Sequence, residues 1–357
     1  MTRIRPRQTA SSCPLPELGE AVQQNCHVAD ARYAADYTLC IYLLKMREFY
    51  RWEHKLSFSQ VLDNETVGGW LRQREGQWEA LEGADFVPLR LDDRDYDPFD
   101  TDAINQALQP RGLVYSGGLG LKARPHFFLG NLHDRQMLEG YTVYISGEEY
   151  ARDLAAPPAM SLGRTIFVRR ESLKRMVWEK LEEWRWNRPD NAMARAIAHY
   201  DFAANLDSAL DAMTEDELHS ALLHEIGEVE AGRYLGEAWE QMLAELPHSR
   251  AEIMLRALRD HLADAISTLP RLLEQEHTSS LHFYFANLSS MRKHLYPSLH
   301  KAYQKWHESR DLRPLQRQVS RGRDHWQSMA DNALDLYHQR GSEARYAIEC
   351  LLEDSRL

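Results

Sequence analysis

Apolar and polar residues alternate along this chain in two different rhythms. Ala29–Leu56 ("ADARYAADYTLCIYLLKMREFYRWEHKL") is an apolar-rich stretch with no glycine or proline, which predicts one long helix or two. From Glu171 to the C-terminus the pattern is helical almost throughout. It is punctuated at Asn187–Asn191 ("NRPDN"), Thr214, Pro247, Pro270, Pro297 and Pro314. Thr214 to Glu217 reads as a capping box, so a helix is expected to start there.

The middle of the chain changes type. Gly112–Leu121, Pro125–Gly130, Tyr141–Gly147 and Gly163–Arg170 carry β-branched and aromatic residues between glycines, the pattern of short strands. The glycines of "SGGLG" lack the spacing and the Lys-Ser/Thr of a phosphate loop, so they read as turn glycines and no nucleotide cofactor is expected. "VPLRLDDRDYDPFDTDAINQAL" reads as an Asp-rich loop followed by a helix capped at Asp100 or Thr101. The expected fold is α+β and predominantly helical: a multi-helix body with a small antiparallel β element around residues 112–170. The expected divisions are a flexible arm over 1–20, an N-terminal helical part with the β element over 21–170, and a C-terminal helical domain over 171–357.

At 357 residues, 43% hydrophobic and 27% charged, the chain can bury a proper core. The net charge of −11 argues against a nucleic-acid partner. The one basic stripe, Arg169–Arg188, also holds Glu171, Glu179, Glu182 and Glu183 and reads as a solvated helix with charge pairs three and four apart. Four cysteines without a CxxC pair suit reduced thiols in a cytoplasmic protein. No apolar run is long enough for a membrane span, and no apolar segment backs the charged start as a secretory signal needs. The aromatic content leaves room for a small-molecule substrate, and a homo-oligomer is compatible with the composition.

Chemistry concentrates in Glu215–Gly232, "EDELHSALLHEIGEVEAG". On a helix Glu217, His224 and Glu228 lie within about 40° of one another. His224 and Glu228 stand one turn apart, a spacing that lets imidazole and carboxylate share one ion. "HEIGE" also resembles the zincin helix, where a glutamate acts as base between two histidines. Glu228 replaces the second histidine, which puts a peptidase in doubt. The apolar stripe Leu218, Leu222, Ile226 and Val229 lies elsewhere on the helix, so an ordinary solvent-facing pair is the competing account.

His261 sits on a mostly apolar face with Met254, Leu258 and Ala265, and so needs a partner: Asp264 or a carbonyl. Glu48 shares an apolar face and needs a cation, with Arg47 and Arg51 nearest. His277 and His282 lie beside Phe283, Tyr284 and Phe285, a core or a pocket wall. Together these suggest a divalent metal (zinc, iron or manganese) held in a helical bundle by His224, Glu228, His261 and Asp264, with Glu225 as base on bound water. The function expected is a metal-dependent enzyme, a hydrolase or an iron-dependent oxidoreductase. The alternative is a non-catalytic scaffold or regulatory protein-interaction protein.

The stretches "DYTLCIYLLKMREFYRWEH", "LRDHLADAISTLPRLLE" and "LHFYFANLSSMR" resemble segments of an uncharacterised family of helix-rich cytoplasmic bacterial proteins with no assigned activity. The resemblance implies bacterial origin and cytosolic location and carries over no functional residue.

Overall fold

The computed structural model describes residues 13–120, 124–138 and 140–357. Most of the expected arm over 1–20 lies outside them, and the first helix already begins at Pro16. The fold is α+β and mostly helical. It divides into two compact units: the chain up to Trp178 together with Ala203–Asp211, and Glu179–Phe202 together with Ala212–Leu357.

The N-terminal unit starts with helices α1 (Pro16–Tyr33), α2 (Leu39–Glu53) and α3 (Asn64–Glu79). A two-stranded antiparallel ribbon follows, β1 (Leu89–Leu91) and β2 (Arg94–Tyr96), then α4 (Thr101–Leu108). The ribbon falls where the sequence predicts an Asp-rich loop. Asp92, at a φ of 54°, makes the turn, and Leu89 and Leu91 face inward as strand alternation requires. Asp100 caps α4 by accepting the amide of Ala103, as its sequence position implies.

The main sheet has five strands: β3 (Leu113–Leu119), β4 (Pro125–Leu138), β5 (Tyr141–Arg152), β6 (Ala159–Leu162) and β7 (Thr165–Arg169). Their order is β3-β4-β5-β7-β6. The sheet occupies the expected segment but is not wholly antiparallel. The β6–β7 hairpin lays β7 beside β5, and that pair is parallel, with Thr142 opposite Thr165. Register shifts between Leu129 and Asp134 mark bulges in β4. Leu18, Val22, Cys26 and Ala29 of α1 pack with Leu113, Tyr115, Phe127 and Leu129 on one face of the sheet. Val114, Phe128, Tyr144 and Phe167 form the core of the other.

Helix α5 (Arg170–Asn187) carries the basic stripe. Its outer residues pair as the sequence implies, Lys180 with Glu183 at 3.1 Å and Arg185 with Glu182 at 3.2 Å. Leu173, Val177 and Leu181 are nonetheless buried, so the helix is amphipathic.

Then come α6 (Ala192–Ile197) and α7 (Leu206–Glu245), the latter broken at Gly236 with a φ of 70°. The helix start expected at Thr214 is instead interior. α7 begins eight residues earlier, with Asn205 accepting the Ser208 amide, and Thr214 is buried within it. Helix α8 (Arg250–Ala263) is capped by Ser249 and runs through a π-helical turn, Asp264–Thr268, into α9 (Leu269–Glu274). Pro270 has no N–H for the carbonyl four residues back, and the widened turn stands just ahead of it. Helices α10 (Thr278–Asn287), α11 (Ser290–Leu295), α12 (Pro297–Ser309), α13 (Arg313–Arg340) and α14 (Arg345–Asp354) complete the bundle. Its core is continuous, from Leu235 and Trp239 through Leu258, Phe285 and Tyr303 to Trp326 and Ile348. No helix among the described residues is long and apolar enough to cross a membrane.

Gly227 sets the α7–α8 crossing. A Cβ built there would sit 2.3 Å from the carbonyl oxygen of Ala263, so only glycine permits this approach. In an isolated helix Gly→Ala stabilises by about 1 kcal/mol. Here the sign should reverse. Gly227→Ala is expected to destabilise the chain by roughly 1–3 kcal/mol in urea unfolding, the usual cost of overpacking. A neutral or stabilising result would show that the crossing is not held by this contact.

Candidate functional site

The close approach at Gly227 brings one face of α7 to the start of the π-helical turn. Asp264 is fully buried there, and three side chains converge on it. His224 Nδ1–H donates to Oδ1 at 3.0 Å, and Tyr284 O–H donates to Oδ2 at 3.0 Å. Arg292 Nη2 pairs with Oδ2 and also donates to the Tyr284 oxygen at 2.8 Å. These partners come from α7, α10 and α11. Burial alone would push the Asp264 carboxyl up, but Arg292, then His224 and Tyr284, hold it well below the usual carboxylate range. Burial likewise opposes charge on His224, yet the hydrogen bond and charge of Asp264, reinforced by Glu228 and Glu225, raise it to about 9. The ring is an imidazolium at neutral pH. Its side chain remains 39% exposed, and with Nδ1 committed to Asp264, Nε2 is the nitrogen left to meet a ligand.

The sequence-predicted ligand set is only partly assembled. His224 and Asp264 do meet. Glu228 instead forms an ion pair with Arg259 at 3.0 Å, and its buried Oε1 has no hydrogen bond among the described residues. Burial raises the Glu228 carboxyl, against the pull of Arg259 and His224. His261 turns away. Its Nε2–H donates to the Arg292 carbonyl at 3.0 Å, and its ring stacks on Trp326 at 5.1 Å. Burial, with the Arg292 charge, lowers it to about 3, so it is a neutral core histidine. The reason is packing: the apolar face it shares with Met254 and Leu258 faces the core, and its backbone partner satisfies it. Glu225 is half-buried beside His224 and contributes to its field. Among the described residues no group of three or more His, Cys, Asp or Glu side chains is gathered so as to hold a metal ion.

Other singled-out residues are structural. Glu48 is buried and ion-paired with Arg47 at 2.7 Å and Arg51 at 3.2 Å. His282 hydrogen-bonds Tyr303 O–H at 2.9 Å and packs on Trp306. Burial and the neighbouring His199 lower it to about 4. Sequence reasoning missed Arg292 and read Tyr284 only as part of a core or pocket wall. Both lie within the stretch "LHFYFANLSSMR", but nothing in their spacing from Asp264 announces a shared partner. Glu217, two turns before His224 on α7, was legible on its face but not as a perturbed acid. Burial raises it to about 7, although Ser280 donates to it at 2.9 Å.

His224 binds its proton more tightly folded than unfolded. Its contribution to stability is therefore complete below about pH 6.5 and is lost as pH rises through about 9. Solvent screening of a ring this exposed reduces the effect to about 1 kcal/mol. Urea titrations at pH 6 and pH 9.5 should show that decline in the wild type and a smaller one in His224→Gln. Equal declines would mean the Asp264 pair does not raise His224. Asp264→Asn should cost roughly 3–5 kcal/mol, because it removes the carboxylate with which buried Arg292 forms its ion pair.

Family models of unknown function match both halves of the chain: the DUF6866 N-terminal domain over residues 17–169 and its C-terminal domain over 174–355. Against curated proteins the chain finds no match, and none of the solved structures matches it. With both of its domains present and in order, the chain belongs to the DUF6866 family of unknown function.

Proposed function

We propose that this protein is an enzyme that works by proton transfer, with His224 as the general acid and Asp264 positioning its ring. One observation carries the reading: a half-exposed imidazole ring is anchored through Nδ1 to a fully buried carboxylate, with Nε2 left over. An oriented acid of this kind protonates a leaving group as its bond breaks. Tyr284 and Arg292 hold Asp264 in place, so the ring cannot swing with its carboxylate. The π-helical turn at Asp264 fits the same reading, since such turns are frequent at functional sites. A small polar substrate and a hydrolytic reaction are part of the proposal. So is a bacterial, cytoplasmic setting, which four free thiols suit.

The metal-dependent version of this centre rests on Glu228 Oε1, a buried oxygen without a hydrogen bond among the described residues, one turn from His224. It requires an ion to share its carboxylates with the cations Arg259 and Arg292, an electrostatic cost that the metal-free acid avoids. The scaffold reading has one observation in its favour: Leu39 is 70% and Leu44 51% exposed at the start of α2.

The test is a panel of alkyl and aryl esters and phosphoesters, assayed with wild type and His224→Gln. Turnover of at least one member should fall roughly 10²–10⁴-fold in the variant. The loss should be largest for poor leaving groups, which need the proton most. Activity indifferent to His224 would sink the proposal, as would no turnover of any member. ICP-MS on the same samples separates the metal version. Stoichiometric zinc, iron or manganese that disappears in a His224→Ala/Glu228→Ala double variant would replace the metal-free acid with a metal centre.

A further inference from the structure

The N-terminal unit contains a cleft that the acid–base reading does not use. Its volume is about 340 Å³, within the range of small-molecule sites. Trp52 of α2 and Leu56 and Phe58 of the following loop give it an apolar side. Arg152, at the end of β5, lines it from within, and Lys55 and Lys174 are also in its wall. In a chain with a net charge of −11, five cationic and three acidic side chains line this space.

Arg152 is the residue that needs explaining. It is 2% exposed, and among the described residues its guanidinium makes one hydrogen bond, from Nη2 to the Glu48 carbonyl at 3.2 Å. Among the described residues its Nε has no hydrogen-bond partner, and no carboxylate forms an ion pair with it. The guanidinium lies 4.7 Å from the Trp52 ring. Burial and the Arg175 charge depress it to about 10, against the pull of Glu149 and Glu171. Those acids are committed elsewhere. Glu149 accepts both Arg169 Nε and Nη2, at 2.9 and 2.7 Å, and Glu171 accepts the Glu149 amide at 2.6 Å. Glu48 is held by Arg47 and Arg51. A buried charge without a counter-ion is costly, and a protein that needed only packing there would carry an apolar side chain.

We propose that this cleft binds a small organic anion, with Arg152 pairing its acid group and Trp52 and Phe58 packing its apolar body. The acid group is a carboxylate or a phosphate, both of which suit a guanidinium fork. Lys55 and Lys174 already have partners, Glu148 at 2.9 Å and Asp211 at 2.6 Å, so they raise the local potential and Arg152 makes the contact.

The experiment is thermal shift and calorimetric titration of the full chain with phenylacetate, phenyl phosphate, inorganic phosphate and the neutral phenylacetamide. Phenylacetate or phenyl phosphate should raise the melting temperature with dose, and whichever binds better identifies the acid group. Phenylacetamide should do nothing, and inorganic phosphate should bind more weakly than phenyl phosphate. Arg152→Met should lower the affinity on the order of tenfold to a hundredfold, the value of a charge-assisted contact. Without ligand it should melt no lower than wild type, since it removes a lone buried charge. Lys55→Met, at an exposed position, should fold normally and bind the anion severalfold more weakly. No response of the wild type to either anion at millimolar concentration would overturn the proposal. So would unchanged affinity in Arg152→Met or, where that variant does not fold, in Lys55→Met. None of these outcomes bears on His224, which lies in the other unit.

Discussion

A single buried carboxylate organises the polar interior of the C-terminal unit. Asp264 is buried away from solvent, so its charge must be met by protein groups, and it recruits them from three separate helices. The arrangement is reciprocal. Arg292 stays buried because Asp264 and Asp260 face it, while Tyr284 is satisfied only because it bridges the two ions. Remove the carboxylate and each of its partners becomes a liability. The same interaction fixes one ring nitrogen of His224, and so decides which of its atoms can do chemistry.

That interaction rests in turn on a missing side chain. α7 and α8 come within reach of each other's backbone at Gly227, one helical turn from His224. A glycine inside a helix normally lowers its stability. Here it brings the helices close enough for a direct imidazole–carboxylate hydrogen bond.

Much of this was legible from the chain. The helical body, the β segment between residues 112 and 170 and the cap at Asp100 all follow from local pattern, because periodicity and capping are local properties. His224 also stood out, since its face and its acidic neighbours lie within one helix. What could not be read was which helices would face one another. His261 and Glu228 looked equivalent to Asp264 and His224 as ligands, but His261 lies on the packed side of α8 and Glu228 meets an arginine 31 residues away. Arg292 and Arg152 were invisible for the same reason: each matters through partners, or their absence, that only tertiary contact defines. The parallel β5–β7 pair escaped detection because strand order is not written in the strands themselves.

That parallel pair also bears on how the chain reaches its native state. β6 and β7 are joined through Gly163 and Arg164 alone, so their hairpin closes a very short loop. Pairing β7 with β5 must instead close the segment between Thr142 and Thr165, at a higher entropic cost. Loop entropy therefore orders the assembly: the hairpin is the unit that forms early, and its docking along β5 comes later. Until that docking is complete, the hydrogen-bonding edge of β5 stands open, and the far side of the sheet is the part of this fold most exposed to mispairing during synthesis.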